Sequence, residues 1–237
     1  MTEPSSPLPL PTKPGELTEP RAQSLVIYEI YTSVQGEATW AGVPCTFVRL
    51  AGCPLRCTYC DTEYAFYGGK RRLIADVIRE VNDLGIPVVE VTGGEPLAQP
   101  QCPALLRALL DAGHTVLLET SGAYTTAEVP EGVHVILDMK CPSSGEQSRN
   151  DYSNLERLRS SDEVKFVMGT REDYEFARDL ARQHRLWERC RAVLFSPVFG
   201  AIEPRDIVAW MLDDQLTWAR FQLQMHKFIW PPDQRGV

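Results

Sequence analysis

Three cysteines share one short stretch, Cys53-x3-Cys57-x2-Cys60, inside Gly52-Cys53-Pro54-Leu55-Arg56-Cys57-Thr58-Tyr59-Cys60-Asp61-Thr62. Thiolate is the soft ligand that iron–sulfur clusters and zinc select. A loop this short wraps three thiolates round one face of a cubane cluster and leaves the fourth iron open for a substrate or cofactor. A structural zinc site asks for four ligands, usually from two C-x2-C knuckles. The chain has one such pair, so Cys45 or His114 would have to complete it. A second segment, Thr92-Gly93-Gly94-Glu95-Pro96, follows an apolar run. Its glycines let the backbone approach a ligand and offer carbonyls as acceptors; the plainer reading is a turn that opens a helix. The remaining cysteines, Cys45, Cys102, Cys141 and Cys190, are scattered singly and read as buried thiols.

Periodicity predicts the elements that must carry these loops. Leu25–Ile30 and Thr46–Leu50 are short β-branched and aromatic runs. Leu73–Leu84 sets Leu73, Ile74, Val77, Ile78, Val81 and Leu84 on one helical face, and Gly85 follows as a stop. Val88–Thr92, Thr115–Glu119, Val133–Asp138, Glu163–Met168, Ala192–Ser196 and Phe221–Gln224 read as strands. Pro103–Ala112 reads as a helix closed by Gly113. Thr170-x-x-Asp173 resembles a capping box opening a helix to about Leu186, and Pro204 sits at a first helical position before Ile207–Leu212. Strands separated by helix-length segments argue for a mainly parallel α/β sheet, open or closed. Polar and glycine-rich residues gather at the strand ends: Gly93-Gly94-Glu95, Glu119-Thr120-Ser121-Gly122, Lys140, Ser196-Pro197. Parallel α/β folds bind ligands at that edge.

Composition narrows the function classes. The 237 residues carry 24 Lys and Arg against 32 Asp and Glu, a net charge of −8. An acidic chain without a basic run suits neither nucleic acid nor an anionic membrane. No apolar stretch approaches ~18 residues, so no transmembrane helix is expected. The start lacks the basic and apolar regions of an export signal, which predicts a cytoplasmic, reducing location. Residues 1–24 hold six of the 18 prolines and few large apolar side chains. They are expected to form a disordered arm ahead of one catalytic domain over residues 25–237.

The three-thiol loop with Tyr59, followed by Gly93-Gly94-Glu95-Pro96, resembles the radical S-adenosylmethionine superfamily. Further segments carry the likeness from about Val26 to Val237: Tyr31-Thr32-Ser33-Val34-Gln35-Gly36-Glu37, Cys60-Asp61-Thr62, Leu118-Glu119-Thr120-Ser121-Gly122, Gln224-Met225-His226-Lys227 and Arg235-Gly236-Val237. Together they resemble the 7-carboxy-7-deazaguanine synthase family. The resemblance implies a partial, TIM-like barrel of mainly parallel strands. It implies a [4Fe–4S] cluster on Cys53, Cys57 and Cys60, S-adenosylmethionine on the open iron, and Mg²⁺ on Thr62. The implied reaction contracts a reduced pterin carboxylate with loss of ammonia, through a 5′-deoxyadenosyl radical. Implied partners are a flavodoxin- or ferredoxin-like electron donor and a second copy in a homodimer.

Position by position, the resemblance assigns substrate contacts to Val34, Gln35, Gly36, Arg49, Thr92, Glu119, Gln224 and His226, and to the carboxylate of Val237. It assigns cofactor contacts to Tyr59, Gly94, Asp138, Met139, Lys140, Ser196, Pro197, Val198 and Phe199. A fixed guanidinium at Arg49 suits a carboxylate ligand, and Glu119 at a strand end could accept N–H donors. Two departures stand out. Ala38 follows Gln35-Gly36-Glu37 where the family has glycine, which is strained if the turn needs positive φ. Asp138-Met139-Lys140 replaces the family's usual Ser-Pro-Lys. Two other functions fit the cysteine loop alone: a glycyl-radical activating protein, which would not need Gln35, Arg49 and Thr62, and a non-catalytic metal-binding module.

Overall fold

In the computed structural model, residues 23–237 are described. The expected arm lies outside the described residues apart from its last two positions. Nine strands form one sheet: β1 Ser24–Val34, β2 Pro44–Leu50, β3 Lys70–Leu73, β4 Val88–Gly93, β5 Thr115–Thr120, β6 His134–Met139, β7 Glu163–Met168, β8 Ala192–Pro197 and β9 Ala219–Phe221. Their order is β3-β1-β2-β4-β5-β6-β7-β8-β9. From β2 to β9 the neighbours are parallel, while β1 pairs antiparallel with both β2 and β3. Among the described residues the sheet does not close, so the fold is α/β with a partial barrel. No helix of the described residues is long and apolar enough to cross a membrane.

Among the described residues five α-helices accompany the sheet: α1 Ile74–Leu84, α2 Cys102–Asp111, α3 Arg171–His184, α4 Pro204–Asp213 and the short α5 His226–Ile229. Val77 and Val81 are the buried centre of α1, whereas Leu73 and Leu84 are exposed at its ends. Gly85 ends α1 at φ 71°, the left-handed stop that its position predicts. The capping box of α3 is present in both directions: Thr170 Oγ1 accepts from the Asp173 N–H at 3.2 Å, and Asp173 Oδ2 accepts from the Thr170 N–H at 2.9 Å. Asp173 also accepts from the Ser143 N–H at 2.8 Å, so the cap ties α3 to the loop after β6.

Three expectations need correction. β3 and its pairing with β1 were not expected, because its KRRL sequence carries no apolar alternation. The crossovers from β5 to β6 and from β6 to β7 contain no α-helix; 3-10 turns serve the second. The last strand ends at Phe221 rather than Gln224. After the Gln222 N–H bonds Phe195 O at 2.9 Å, the chain leaves β8 and turns into α5.

Each face of the sheet has its own apolar layer. Val48, Val89, Leu118, Leu137 and Phe166 face the helices. Cys45, Phe47, Leu117, Ile136 and Leu194 fill the barrel side, closed by Trp40 and Tyr31. Strand alternation then assigns Arg49, Glu90, Thr92, Glu119, Asp138 and Lys165 to the barrel side as well.

Two glycines allow β4 to pass close to β2. A Cβ on Gly93, whose φ is 149°, would lie 2.2 Å from Leu50 O, and one on Gly94 would lie 2.2 Å from Gly52 O. Gly85, by contrast, has open space around it. Gly85→Ala should therefore cost only the left-handed backbone penalty, about 1 kcal/mol. Gly93→Ala or Gly94→Ala should cost about 3 kcal/mol or more, since two backbones must part. Urea midpoints of the three variants check the difference.

Candidate active site

The C-terminal ends of the parallel strands open into a cavity of about 730 Å³. One wall is the cysteine loop after β2. The opposite wall is the turn after β1, and residues 232–237 line it from the chain end. All three loop cysteines line the cavity and are partly exposed, while Cys45, Cys102, Cys141 and Cys190 are buried elsewhere.

Backbone bonds hold the cysteine loop. The Gly52 N–H bonds Ala65 O at 2.8 Å, and the Thr58 N–H bonds Ser144 O at 3.1 Å. Arg56 folds back so that Nη1 donates to Cys53 O at 2.8 Å and Leu55 O at 2.6 Å. Burial pushes the Cys53 thiol up to about 11 and raises Cys57 and Cys60 too. As free thiols they are protonated at neutral pH, so loading a metal there releases protons. No three His, Cys, Asp or Glu side chains among the described residues are grouped for a single ion. A cubane, whose iron corners stand apart, asks for wider spacing than one ion does. Neither zinc alternative completes the loop: Cys45 is buried in the barrel-side core, and His114 bonds Asn82 at 2.8 Å. The donor set fits a three-thiolate cluster.

The cavity floor is ionic. Lys165, on β7, is only 3% exposed at its side chain. Its Nζ donates to Glu37 Oε2 at 2.7 Å and to Glu119 Oε1, and Asp138 Oδ2 lies at 3.6 Å. Glu37 also accepts from Gln224 Nε2 at 3.0 Å and Gln222 Nε2 at 3.3 Å. Asp138 pairs with Lys140 at 3.0 Å, yet its Oδ1 is buried without a partner. Gln35 is spent internally: Nε2 donates to Glu90 Oε2, and Oε1 accepts from the Glu37 N–H at 2.7 Å. Burial, then the negative charges of Glu119 and Glu37, push Glu90 well above the usual carboxylate range. Burial also raises Glu119, against the pull of Lys165. Sequence reading misses Lys165, Glu37 and Glu90 as members of the site. The signal that could have found them is charge at alternate positions of strands whose other positions are all apolar.

Arg49 is held from behind by Glu29 at 2.8 Å and Tyr31 Oη at 2.8 Å, near the rings of Tyr31 and Tyr64. Glu95 does not face a ligand. Its carboxylate accepts from the Leu97 N–H, Thr120 Oγ1 and the Ser121 N–H at 2.7–2.8 Å, which joins the ends of β4 and β5. Thr62 Oγ1 donates to Asp61 Oδ1 at 2.9 Å, and Lys227 at 2.7 Å holds Asp61, with its carboxyl down at about 2. Burial, the largest influence, acts against that lowering, which Lys227 brings about. This pair joins the cysteine loop to α5.

The cavity therefore gathers Val34, Gln35, Gly36, Arg49, Thr92, Glu119, Gln224, His226 and Val237 with Tyr59, Thr62, Gly94, Asp138, Lys140, Val198 and Phe199. It does not gather Met139, Ser196 or Pro197. Met139 points to the helix layer because Asp138 and Lys140, its neighbours, point into the cavity. Ser196 is fully buried with its Oγ unpartnered, and Pro197 is buried beside it. Ala38 has φ 60°, so the turn keeps the positive φ that makes alanine strained there, and its N–H donates to Gln222 Oε1 at 2.9 Å. Gln224 and His226 reach the cavity from the loop and from α5, not from a strand.

The Radical SAM superfamily model matches residues 48–143. The 7-carboxy-7-deazaguanine synthase of Koribacter versatilis is 44% identical over 225 residues, covering 89% of this chain and 99% of the relative. That of Chlorobaculum tepidum is 45% identical over 216 residues, covering 90% and 97%. The fold is similar to the crystal structure of QueE from Escherichia coli, with a TM-score of 0.72 at 23% identity, covering 86% of this chain and 95% of that one.

Gly36 lies against α5. A Cβ there would lie 2.5 Å from His226 Nδ1, and its carbonyl accepts from the Met225 N–H at 2.8 Å. Gly36→Ala should displace His226 while leaving the cysteine loop alone. Ligand affinity should fall by up to about a hundredfold at unchanged iron content; iron analysis with equilibrium binding checks this.

Proposed function

The chain belongs to the 7-carboxy-7-deazaguanine synthase family of radical S-adenosylmethionine enzymes, and on that premise we propose that its substrate is 6-carboxy-5,6,7,8-tetrahydropterin, converted to 7-carboxy-7-deazaguanine with loss of ammonia. The observation that carries this reading is one cavity with three partly exposed thiols on one wall and an ordered set of polar acceptors below. When bound, a [4Fe–4S] cluster with S-adenosylmethionine supplies an organic radical able to remove a substrate hydrogen atom.

The chain's own residues hold and orient. Cys53, Cys57 and Cys60 would ligate three irons. Tyr59, Gly94, Asp138, Lys140, Val198 and Phe199 would flank the cofactor, with Met139, Ser196 and Pro197 limited to backbone or packing roles there. Arg49, fixed by Glu29, would receive the substrate carboxylate. Thr92, Glu119, Gln224, His226 and the turn Val34-Gln35-Gly36 would bound the heterocycle. Thr62 would offer its hydroxyl to Mg²⁺, which keeps waters and takes few protein ligands. Arg235, 4.3 Å over the Tyr64 ring, would aim the chain end so that the Val237 carboxylate accepts substrate N–H groups. We assign a flavodoxin- or ferredoxin-type reductant, a homodimer, a cytoplasmic location and a single catalytic domain over residues 25–237 as the enzyme's working context. The family membership leaves the glycyl-radical activating protein unsupported.

Anaerobically reconstituted protein with reductant, S-adenosylmethionine, Mg²⁺ and the pterin should release ammonia and a deazaguanine acid. Cofactor cleavage without ammonia would refute the substrate assignment. A tag fused after Val237 should weaken pterin binding without changing iron content, and an N-terminal tag should not; calorimetry of the two tagged forms decides.

A further inference from the structure

Among the described residues, the ammonium of Lys165 is the one cation that reaches carboxylates from three separate segments at the cavity floor. Alternation along β7 turns Glu163, Lys165 and Val167 to the barrel side. Glu163 takes the Thr39 N–H at 2.9 Å and Thr39 Oγ1 at 2.5 Å, which pins the turn that carries Glu37. Lys165 then grips Glu37 itself, together with Glu119 from β5. We propose that Lys165 is a positioning residue for the substrate: it holds the Glu37 and Glu119 carboxylates side by side as a paired acceptor for a heterocycle edge bearing adjacent N–H donors. This rests on the proposed function and goes beyond it, since Lys165 itself stands beneath the acceptors.

The charges around it support this arrangement. Glu37, Glu90, Glu119 and Asp138 face the ammonium region from the β1–β2 turn, β4, β5 and β6, and His226 from α5 stands near Glu37. Lys140 offsets Asp138. One ammonium does not balance the other three carboxylates, Glu37, Glu90 and Glu119. Burial, then the charges of Glu119 and Glu37, favours the protonated form at Glu90, whose carboxylate meets the Gln35 amide rather than an ammonium. Lys165 holds Glu37 below the usual carboxylate range against its burial and pulls Glu119 the same way, so the ammonium favours charged acceptors, the stronger kind. Burial lowers His226 below its usual range, so it adds no second cation at neutral pH.

The test uses reconstituted enzyme with S-adenosylmethionine and the pterin. Lys165→Met should raise the pterin KM at least about tenfold at pH 7, with iron content and S-adenosylmethionine affinity unchanged. Without the ammonium the carboxylates keep protons to higher pH, so this KM should fall as pH rises from about 6.5 to 9, while the parent enzyme stays flat. Lys165→Arg should restore the flat profile. An unchanged KM and profile in Lys165→Met, or Arg behaving as Met, overturns the proposal while leaving the enzyme reading intact. Failure of the parent protein to bind the pterin overturns both. If Lys165→Met does not fold, calorimetry of the parent enzyme in buffers of different ionisation heat replaces it. Preformed acceptors predict no net proton uptake on pterin binding; uptake above about half a proton per site overturns the proposal.

Discussion

Charge inside a sheet is the constraint around which this molecule is arranged. A barrel side packed only with Phe47, Leu117, Ile136 and Leu194 would need no partner beyond itself. Above that layer, the same strands turn carboxylates and an ammonium inward. Burying an unpaired charge costs several kcal/mol by order of magnitude, so each must be neutralised or bonded. Lys165 against Glu37 and Glu119, Lys140 against Asp138, and Arg49 against Glu29 meet that demand. The Lys165 pairs join segments far apart in the chain, so the ionic floor also fixes the turn after β1 against the barrel side of the sheet. A purely apolar replacement could be as stable. It would offer a polar heterocycle nothing to bind.

The cysteine loop meets a different demand, that of close backbone approach. Gly93 and Gly94 let β4 run against Leu50 and Gly52, and the Glu95 N–H then bonds Gly52 O at 2.8 Å. Glu95 turns its side chain the other way, onto Thr120 and Ser121. The glycine-rich segment thus acts as a brace between the thiol loop and the next strand end. Asp61 and Lys227 add a second brace to α5, where His226 rests on Gly36. Through α5, the thiol loop and the turn after β1 are tied to each other across the cavity.

Much of this arrangement is legible in the residues alone. Parallel strands with apolar cores are the simplest response to apolar runs separated by helix-length segments, and the parallel strands from β2 to β8 fall within a residue or two of their expected places. Gly85 and the Thr170–Asp173 cap work by local geometry alone, so their motifs predict them well. Local chemistry also places Cys53, Cys57 and Cys60 in one loop. The elements that escape lack local signals. The KRRL strand β3 is held by its pairing with β1, not by propensity. The last strand stops at Phe221 because Gln222 and Gln224 are drawn to Glu37, a partner about 185 positions away.

What the sequence determined by itself was the donor set and the alternation: three thiols at cluster spacing, glycines where backbones must touch, and a period of two along the parallel strands. These depend on residues a few positions apart, whose geometry any fold must respect. Only the tertiary structure decided which charges meet. Met139 and Asp138 are chain neighbours, yet one packs against helices and the other faces the cavity. Glu37, Glu119 and Lys165 are strangers in sequence, yet they share one ionic contact. That outcome depends on sheet order and curvature, which bring β5, β6 and β7 to face the turn after β1, and no short-range pattern encodes a distance across a barrel.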